Sequence, residues 1–70
     1  MSIFSARLRE LRALKNVTQK QVAESVGLSE RGYQNYELDN REPTMSSIIK
    51  LADYFGVSTD YLLGRSDKRR

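Results

Sequence analysis

Residues 18–37, TQKQVAESVGLSERGYQNYE, hold two short amphipathic helical patterns separated by Val26-Gly27-Leu28. No other stretch constrains the chain as much. Val22, Ala23 and Val26 recur at helical spacing on the first pattern, and Tyr33 and Tyr36 do so on the second, so each helix has one apolar face and one polar, unoccupied face. Gly27 stands where the first pattern stops, a place where a helix often ends in a left-handed residue that glycine supplies without a side-chain clash. Thr18 and Gln21 have the spacing of a capping box, which starts the first helix near Gln19. Ser29 can cap the second helix, starting it near Glu30, but Gly32 occupies the third helical position and no reciprocal box can form there.

The flanking segments read as helices that complete an all-α bundle. Ile3, Phe4, Leu8, Leu11 and Leu14 follow a helical repeat, with the intervening arginines mostly on the opposite side. The segment 37–43, ELDNREP, combines turn formers with the only proline and has no apolar period, so it is a loop. Thr44 can cap a fourth helix whose stripe is Ile48, Leu51, Ala52 and Phe55, with Gly56 as its stop. Ser58 then caps a short fifth helix containing Tyr61, Leu62 and Leu63, and Gly64 closes it. The expectation is a compact five-helix bundle over residues 1–64 followed by a basic tail at 65–70. No strand pair, internal repeat or second domain is visible.

Seventy residues make one small domain with a single core. The chain has no cysteine and no histidine, which removes disulfides, thiolate metal sites, a cysteine nucleophile and an imidazole base. Asp39 with Glu42, or Asp53 with Asp60, could be read as carboxylate pairs, but they fall in a turn and on helix surfaces without convergent polar groups, so no enzymatic role, cofactor or metal is expected. No apolar run nears the roughly 20 residues that cross a bilayer, and the start MSIFSARLRE lacks the hydrophobic stretch of a signal peptide; the expected location is cytoplasmic.

The net charge of +3 is segregated along the chain. Residues 1–31 carry six bases against three acids, residues 32–64 two bases against five acids, and residues 65–70 four bases against one acid. The half with the first two patterned helices is basic, the next acidic, and the tail basic again. The tail reads either as a solvated end or as a source of sequence-independent attraction to phosphate.

The Thr-Gln opening, central glycine, Ser-led second helix and closing Tyr-Glu of residues 18–37 closely resemble the Cro/C1-type helix-turn-helix family of phage and bacterial repressors. The likeness continues upstream, where RLRELRALKNVTQ looks like the family's first helix running into its second, and downstream, where REPTMSSIIKLADYFGVSTDYLLG is similar to its fourth and fifth helices. Roughly Phe4 to Gly64 is covered, and a match across five elements in order is specific. The resemblance implies the fold of lambda-repressor-like DNA-binding domains, with the third helix inserted into the major groove of double-stranded DNA. It also implies a sequence-specific transcriptional regulator, most often a repressor, that binds a near-palindromic operator as a homodimer with recognition helices about 34 Å apart.

Residue roles follow from both readings. Glu30, Arg31, Gln34 and Asn35 lie at the exposed start of the third helix: Arg31 can fork onto guanine, Gln34 or Asn35 can pair bidentately with adenine, and Glu30 can accept from cytosine N4. Glu30 could equally pair with Arg31 or stabilise its own helix start. Thr18 and Gln19 stand at the positive end of the second helix, where free amides can hold a phosphate and the Gln19 amide can add a donor, a role the resemblance implies as well. Lys15, Lys20 and Arg41 could add charged phosphate contacts. The resemblance implies an ion pair between Arg12 and Glu37. Tyr33 and Tyr36 could stack on bases, but their spacing assigns them to the core. Either Leu62 or Leu63 enters the core, and Tyr61 with the outward leucine, taken as Leu62, is the candidate dimer contact. Gly32 departs from the family's usual larger residue at a cost of about 1 kcal/mol in helix stability, and could allow closer backbone approach to a duplex. A bundle of this kind could also serve as a protein-interaction module, such as an antitoxin or adaptor, but the polar character of Glu30, Arg31, Gln34 and Asn35 favours DNA.

Overall fold

The structure, a computed structural model, describes residues 2–70; Met1, the first residue of the expected 1–64 unit, lies outside the described residues. Among the described residues the regular elements are five helices: α1 (Ile3–Lys15), α2 (Gln19–Val26), α3 (Glu30–Glu37), α4 (Met45–Phe55) and α5 (Thr59–Leu63). Each start has a hydroxyl cap, from Ser2, Thr18, Ser29, Thr44 and Ser58 in turn, whose oxygen accepts from the backbone amide three residues on. Such a cap satisfies an amide that has no partner within its helix. Three of the helices end at left-handed glycines, Gly27, Gly56 and Gly64. α1 ends instead at Asn16 with φ 57°, the left-handed stop that asparagine tolerates best after glycine.

The apolar stripes meet in one core built from Phe4, Leu8 and Leu11 of α1, Val22, Ala23 and Val26 of α2, Tyr33 and Tyr36 of α3, Leu51 and Ala52 of α4, and Tyr61 and Leu62 of α5. Burying one such large side chain contributes roughly 1.5–3 kcal/mol. Phe4 meets Tyr36 edge-on with ring centroids 6.0 Å apart, which ties α1 to α3. Ser5, also buried, donates to the Tyr36 carbonyl oxygen at 2.6 Å and fixes the same contact with a polar bond. The α2–α3 pair packs on itself, α1 also packs on α3, and α4 supports α2, whereas α5 packs on α1 and α4.

Two expectations about the ends of α1 are corrected. Ile3 and Leu14 fit the helical repeat but are 54% and 62% exposed, and Ile3 meets only the edge of α5, where its side chain lies against Gly64. The assignment of the α5 leucines is also settled. Leu62 is fully buried and Leu63 is 41% exposed, so Leu63 faces outward. Tyr61 is buried as well, its hydroxyl donating to Glu10 Oε1 at 2.5 Å and its ring lying under the Arg7 guanidinium. Tyr61 and Leu62 therefore pack inside the protomer and are not a free dimer surface.

The tail is neither a loose end nor an extended arm. The Arg7 side chain donates to the carbonyl oxygens of Tyr61 and Ser66 and pairs with Asp67, clipping α1 to α5 and to the residues after it. Further along, the Ser58 amide donates to the Arg69 carbonyl oxygen at 2.6 Å, and Arg70 donates to that of Gly56 at 3.1 Å. The basic tail thus lies back over the α4–α5 corner.

Candidate nucleic-acid interface

The polar face of α3 is built by the same period that buries Tyr33, Tyr36 and Glu37. Those three point inward, which turns Glu30, Arg31, Gln34 and Asn35 to the other side. Glu30 and Arg31 are exposed and form no ion pair with each other among the described residues, so neither is committed to the other. Gln34 and Asn35 are half-buried, one turn further along.

The start of α2 stands beside this face. Thr18 Oγ1 accepts from the Gln21 amide at 3.0 Å while Gln21 Oε1 accepts from the Thr18 amide at 2.8 Å, the complete capping box. This leaves the amides of Gln19 and Lys20 without a partner inside the helix, at the positive end of its dipole. Such an end can hold an anion. Gln19 links the two helices directly: Gln34 Nε2 donates to Gln19 Oε1 at 3.0 Å, and Gln19 Nε2 donates to Glu37 Oε1 at 3.1 Å. Lys20 is exposed on the same first turn.

Behind this face lies an ion pair. Arg12 Nε donates to Glu37 Oε2 at 2.7 Å and Nη2 to Oε1 at 3.2 Å, a two-pronged contact with a carboxylate that is only 2% exposed. Arg12 also donates to the Val17 carbonyl oxygen at 3.3 Å, at the turn that leads into α2. Burial alone would push the Glu37 carboxyl up, but hydrogen bonds from its neighbours, Arg12 foremost, outweigh it and hold the carboxyl below the usual glutamate range. Arg12 is in turn held more firmly protonated by its bond to Glu37. The Tyr33 hydroxyl faces the same carboxylate closely enough to bias its charge, yet it is buried outside hydrogen-bond geometry. Burial first, and then the Glu37 charge, push the ionisation of Tyr33 far up.

Other expected contacts lie elsewhere. Lys15 holds its ammonium 5.0 Å from the ring centroid of Tyr54, drawn toward α4 by a cation–π contact. Arg41 is exposed in the 38–44 loop, where it lines a shallow pocket with Asp39, Glu42 and Pro43. Asp39 has φ 60°, and its Oδ2 accepts from the Ser2 amide at 3.0 Å, which anchors that loop to the start of α1. At Gly32 an added Cβ would lie 3.0 Å from Ser29 Oγ, so the glycine leaves room for the cap hydroxyl that accepts from its own amide.

Sequence reasoning did not find the Gln34–Gln19–Glu37 chain. The residues are 15 and 18 positions apart, and only the crossing of α2 over α3 brings them together. The Arg7 clip was missed because it grips carbonyl oxygens, which carry no residue-type signal.

A helix-turn-helix family model matches residues 8–62, most of the chain. The chain belongs to the Cro/C1-type helix-turn-helix family. Among its relatives, the HTH-type transcriptional regulator ImmR of Bacillus subtilis is 41% identical over 61 residues, covering 87% of this chain and 48% of ImmR. The cryptic phage CTXphi transcriptional repressor RstR of Vibrio cholerae is 41% identical over 59 residues, covering 84% of this chain and 53% of RstR. The chain thus spans about half the length of these curated relatives. In structure, it matches the P22 c2 repressor, solved in complex with a synthetic operator, with a TM-score of 0.86 over 94% of this chain and all of that one; at 24% identity this likeness concerns the fold. The SOS-response repressor LexA of Eubacterium rectale matches with a TM-score of 0.83 at 31% identity, over 87% of this chain and 65% of LexA. The all-helical fold is thus that of lambda-like repressor domains. Among the described residues no helix is long and apolar enough to cross a membrane.

Proposed function

We propose that this chain is a sequence-specific, double-stranded-DNA-binding transcriptional regulator of the cytoplasm, acting as a repressor by occupying a near-palindromic operator. The observation that carries this reading is the joined polar face of α2 and α3, where Gln34 on one helix is bonded to Gln19 at the start of the other. The fold and the family, with relatives named as transcriptional regulators and a phage repressor, support it. In this reading α3 lies in the major groove. The free amides and side chain of Gln19, capped by Thr18, hold a backbone phosphate, and Lys20 and Arg41 add charge. Arg31, Gln34, Asn35 and Glu30 meet base edges, each good pair discriminating by roughly 1–3 kcal/mol. Lys15 is the weakest phosphate candidate, since its ammonium sits over Tyr54. Two protomers bind as a homodimer on DNA, with two-fold symmetry matching that of the operator. Residues 1–64 act as the binding unit.

The test is a titration against duplex DNA from upstream of the protein's own gene, with a scrambled duplex alongside, over a series of salt concentrations. A preference of at least about a thousandfold for the native duplex at physiological salt is expected. Absence of binding to either duplex at low salt would refute the reading.

A further inference from the structure

The bonds behind the α3 face have a direction. An ionised carboxylate has no proton to give and can only accept, so Glu37 obliges the amide nitrogen, not the oxygen, of Gln19 to face it. The Arg12 fork on the same carboxylate keeps it ionised and fully oriented. With its nitrogen turned to Glu37, Gln19 presents Oε1 to α3, and Gln34 must answer with its own nitrogen, as the 3.0 Å bond records. Gln34 is left with one acceptor, Oε1, and one unused N–H.

We infer that Glu37 is a positioning residue for base recognition: through Gln19 it locks the amide of Gln34 in the orientation that selects adenine. This rests on the reading of α3 as the base-reading helix. The major-groove edge of adenine offers a donor at N6 and an acceptor at N7, which match the free oxygen and the single free N–H of Gln34. Guanine offers two acceptors, N7 and O6, and would need both N–H groups of one amide, one of which Gln19 already holds. Cytosine and thymine each use only one of the two free groups. The leftover N–H of Gln19 suits a phosphate oxygen, which only accepts. A buried ion pair that looks purely structural therefore sets the donor order at the surface two residues away.

Glu37→Gln reverses this order. Arg12 brings only donors, so the new amide turns its oxygen to Arg12 and its nitrogen to Gln19. Gln19 then flips, presents its nitrogen to Gln34, and Gln34 is left with two free N–H groups, the pattern that guanine accepts. Gln19→Met breaks the link while leaving the Arg12–Glu37 pair in place, so Gln34 is free to turn either way.

The experiment selects binding sites from a randomised duplex pool with the wild-type chain, then measures affinity for duplexes differing only in the base that Gln34→Ala makes indifferent. Wild type is expected to favour adenine over guanine there by about tenfold, the effect of one good bidentate pair. In Glu37→Gln the ratio falls to about one or inverts, and in Gln19→Met it falls below about threefold, whatever happens to overall affinity. Side-chain amide spectra of the free wild-type and Gln19→Met chains give a readout that stability alone does not move: the Gln34 amide loses its distinct pair of signals in the variant. If Glu37→Gln does not fold, Gln19→Met decides. An adenine preference retained in full by a folded variant of either kind overturns the inference, as does a wild-type site at which Gln34→Ala changes no base preference. A wild-type chain that enriches no sequence overturns the DNA-binding reading itself, and the inference with it.

Discussion

The α2–α3 pair and the α5–tail corner are both tied together by an arginine from α1, but in opposite ways. At α2–α3, Arg12 grips a buried carboxylate, and the bonds continue outward through side chains to Gln19 and Gln34 on a polar surface. At the α5 corner, Arg7 grips the backbone carbonyl oxygens of Tyr61 and Ser66 and an exposed carboxylate, and the tail's own bonds to Ser58 and Gly56 complete a backbone latch. One arginine organises a surface that can read another molecule; the other closes the chain onto itself. The difference shows that charge at a helix face takes its meaning from what it meets: Arg7 and Arg12 lie five residues apart on one helix and serve different ends.

The largest effect that could break this contrast is at Arg12. Arg12→Met strands the Glu37 carboxylate, 2% exposed, without its main partner, and removing one member of a buried pair costs about 3–5 kcal/mol. Thermal unfolding is expected to move down by more than about 10 °C; a shift below about 2 °C would mean the pair does not hold the two helices. The same carboxylate sets an acid limb. Its folded pKa lies below its unfolded value, so its stabilising contribution is complete above the unfolded value near 4.5 and is lost as pH falls through the folded one. Unfolding followed across that range should show wild type losing more stability than Glu37→Gln, which has no proton to take up.

At the other arginine the effect is smaller. Deleting residues 65–70 removes the Ser66 and Asp67 partners of Arg7 and should cost about 1–2 kcal/mol. Because the tail lies on α1 and α5, the slope of log affinity against log salt should change by less than about one, the worth of a single phosphate contact. A larger change would place the tail on DNA and erase the distinction between the two regions. Smaller again is Gly32→Ala, where a helix-propensity gain of about 1 kcal/mol is opposed by crowding of the Ser29 cap at 3.0 Å. The net change in unfolding free energy should stay within about 1 kcal/mol. Tyr33→Phe removes a buried hydroxyl outside hydrogen-bond geometry and is expected to leave stability unchanged or slightly raised by calorimetry.

The contrast also marks what the sequence carries. Helix starts were legible because Thr18, Ser29, Thr44 and Ser58 are local signals read three residues at a time, and the core positions of α2 and α3 because a period of 3.6 sorts Val22, Val26, Tyr33 and Tyr36 to one side. The polar set Glu30, Arg31, Gln34 and Asn35 is the complement of that sorting. The misplaced core and surface positions have one cause. Periodicity says which face is apolar but not how far a neighbour covers it, so Ile3 and Leu14 appeared as core, and Tyr61 and Leu62 as surface, when the cover was the reverse. The Arg7 latch, joining positions 54 and 59 residues apart through carbonyl oxygens, leaves no pattern to read. The Asn16 stop was readable, since asparagine after a helical run is a left-handed signal.

On the proposed function, the joined polar face of α2 and α3, and not the α5 corner, meets DNA. The most direct measurement is a backbone and side-chain amide spectrum of the labelled protein during titration with duplex DNA from upstream of its own gene. Thr18, Gln19, Lys20, Glu30, Arg31, Gln34 and Asn35 are expected to shift most, with Gly56, Ser58 and residues 65–70 nearly still. Shifts concentrated at the α5 corner and tail, with α3 unmoved, would contradict the proposed function.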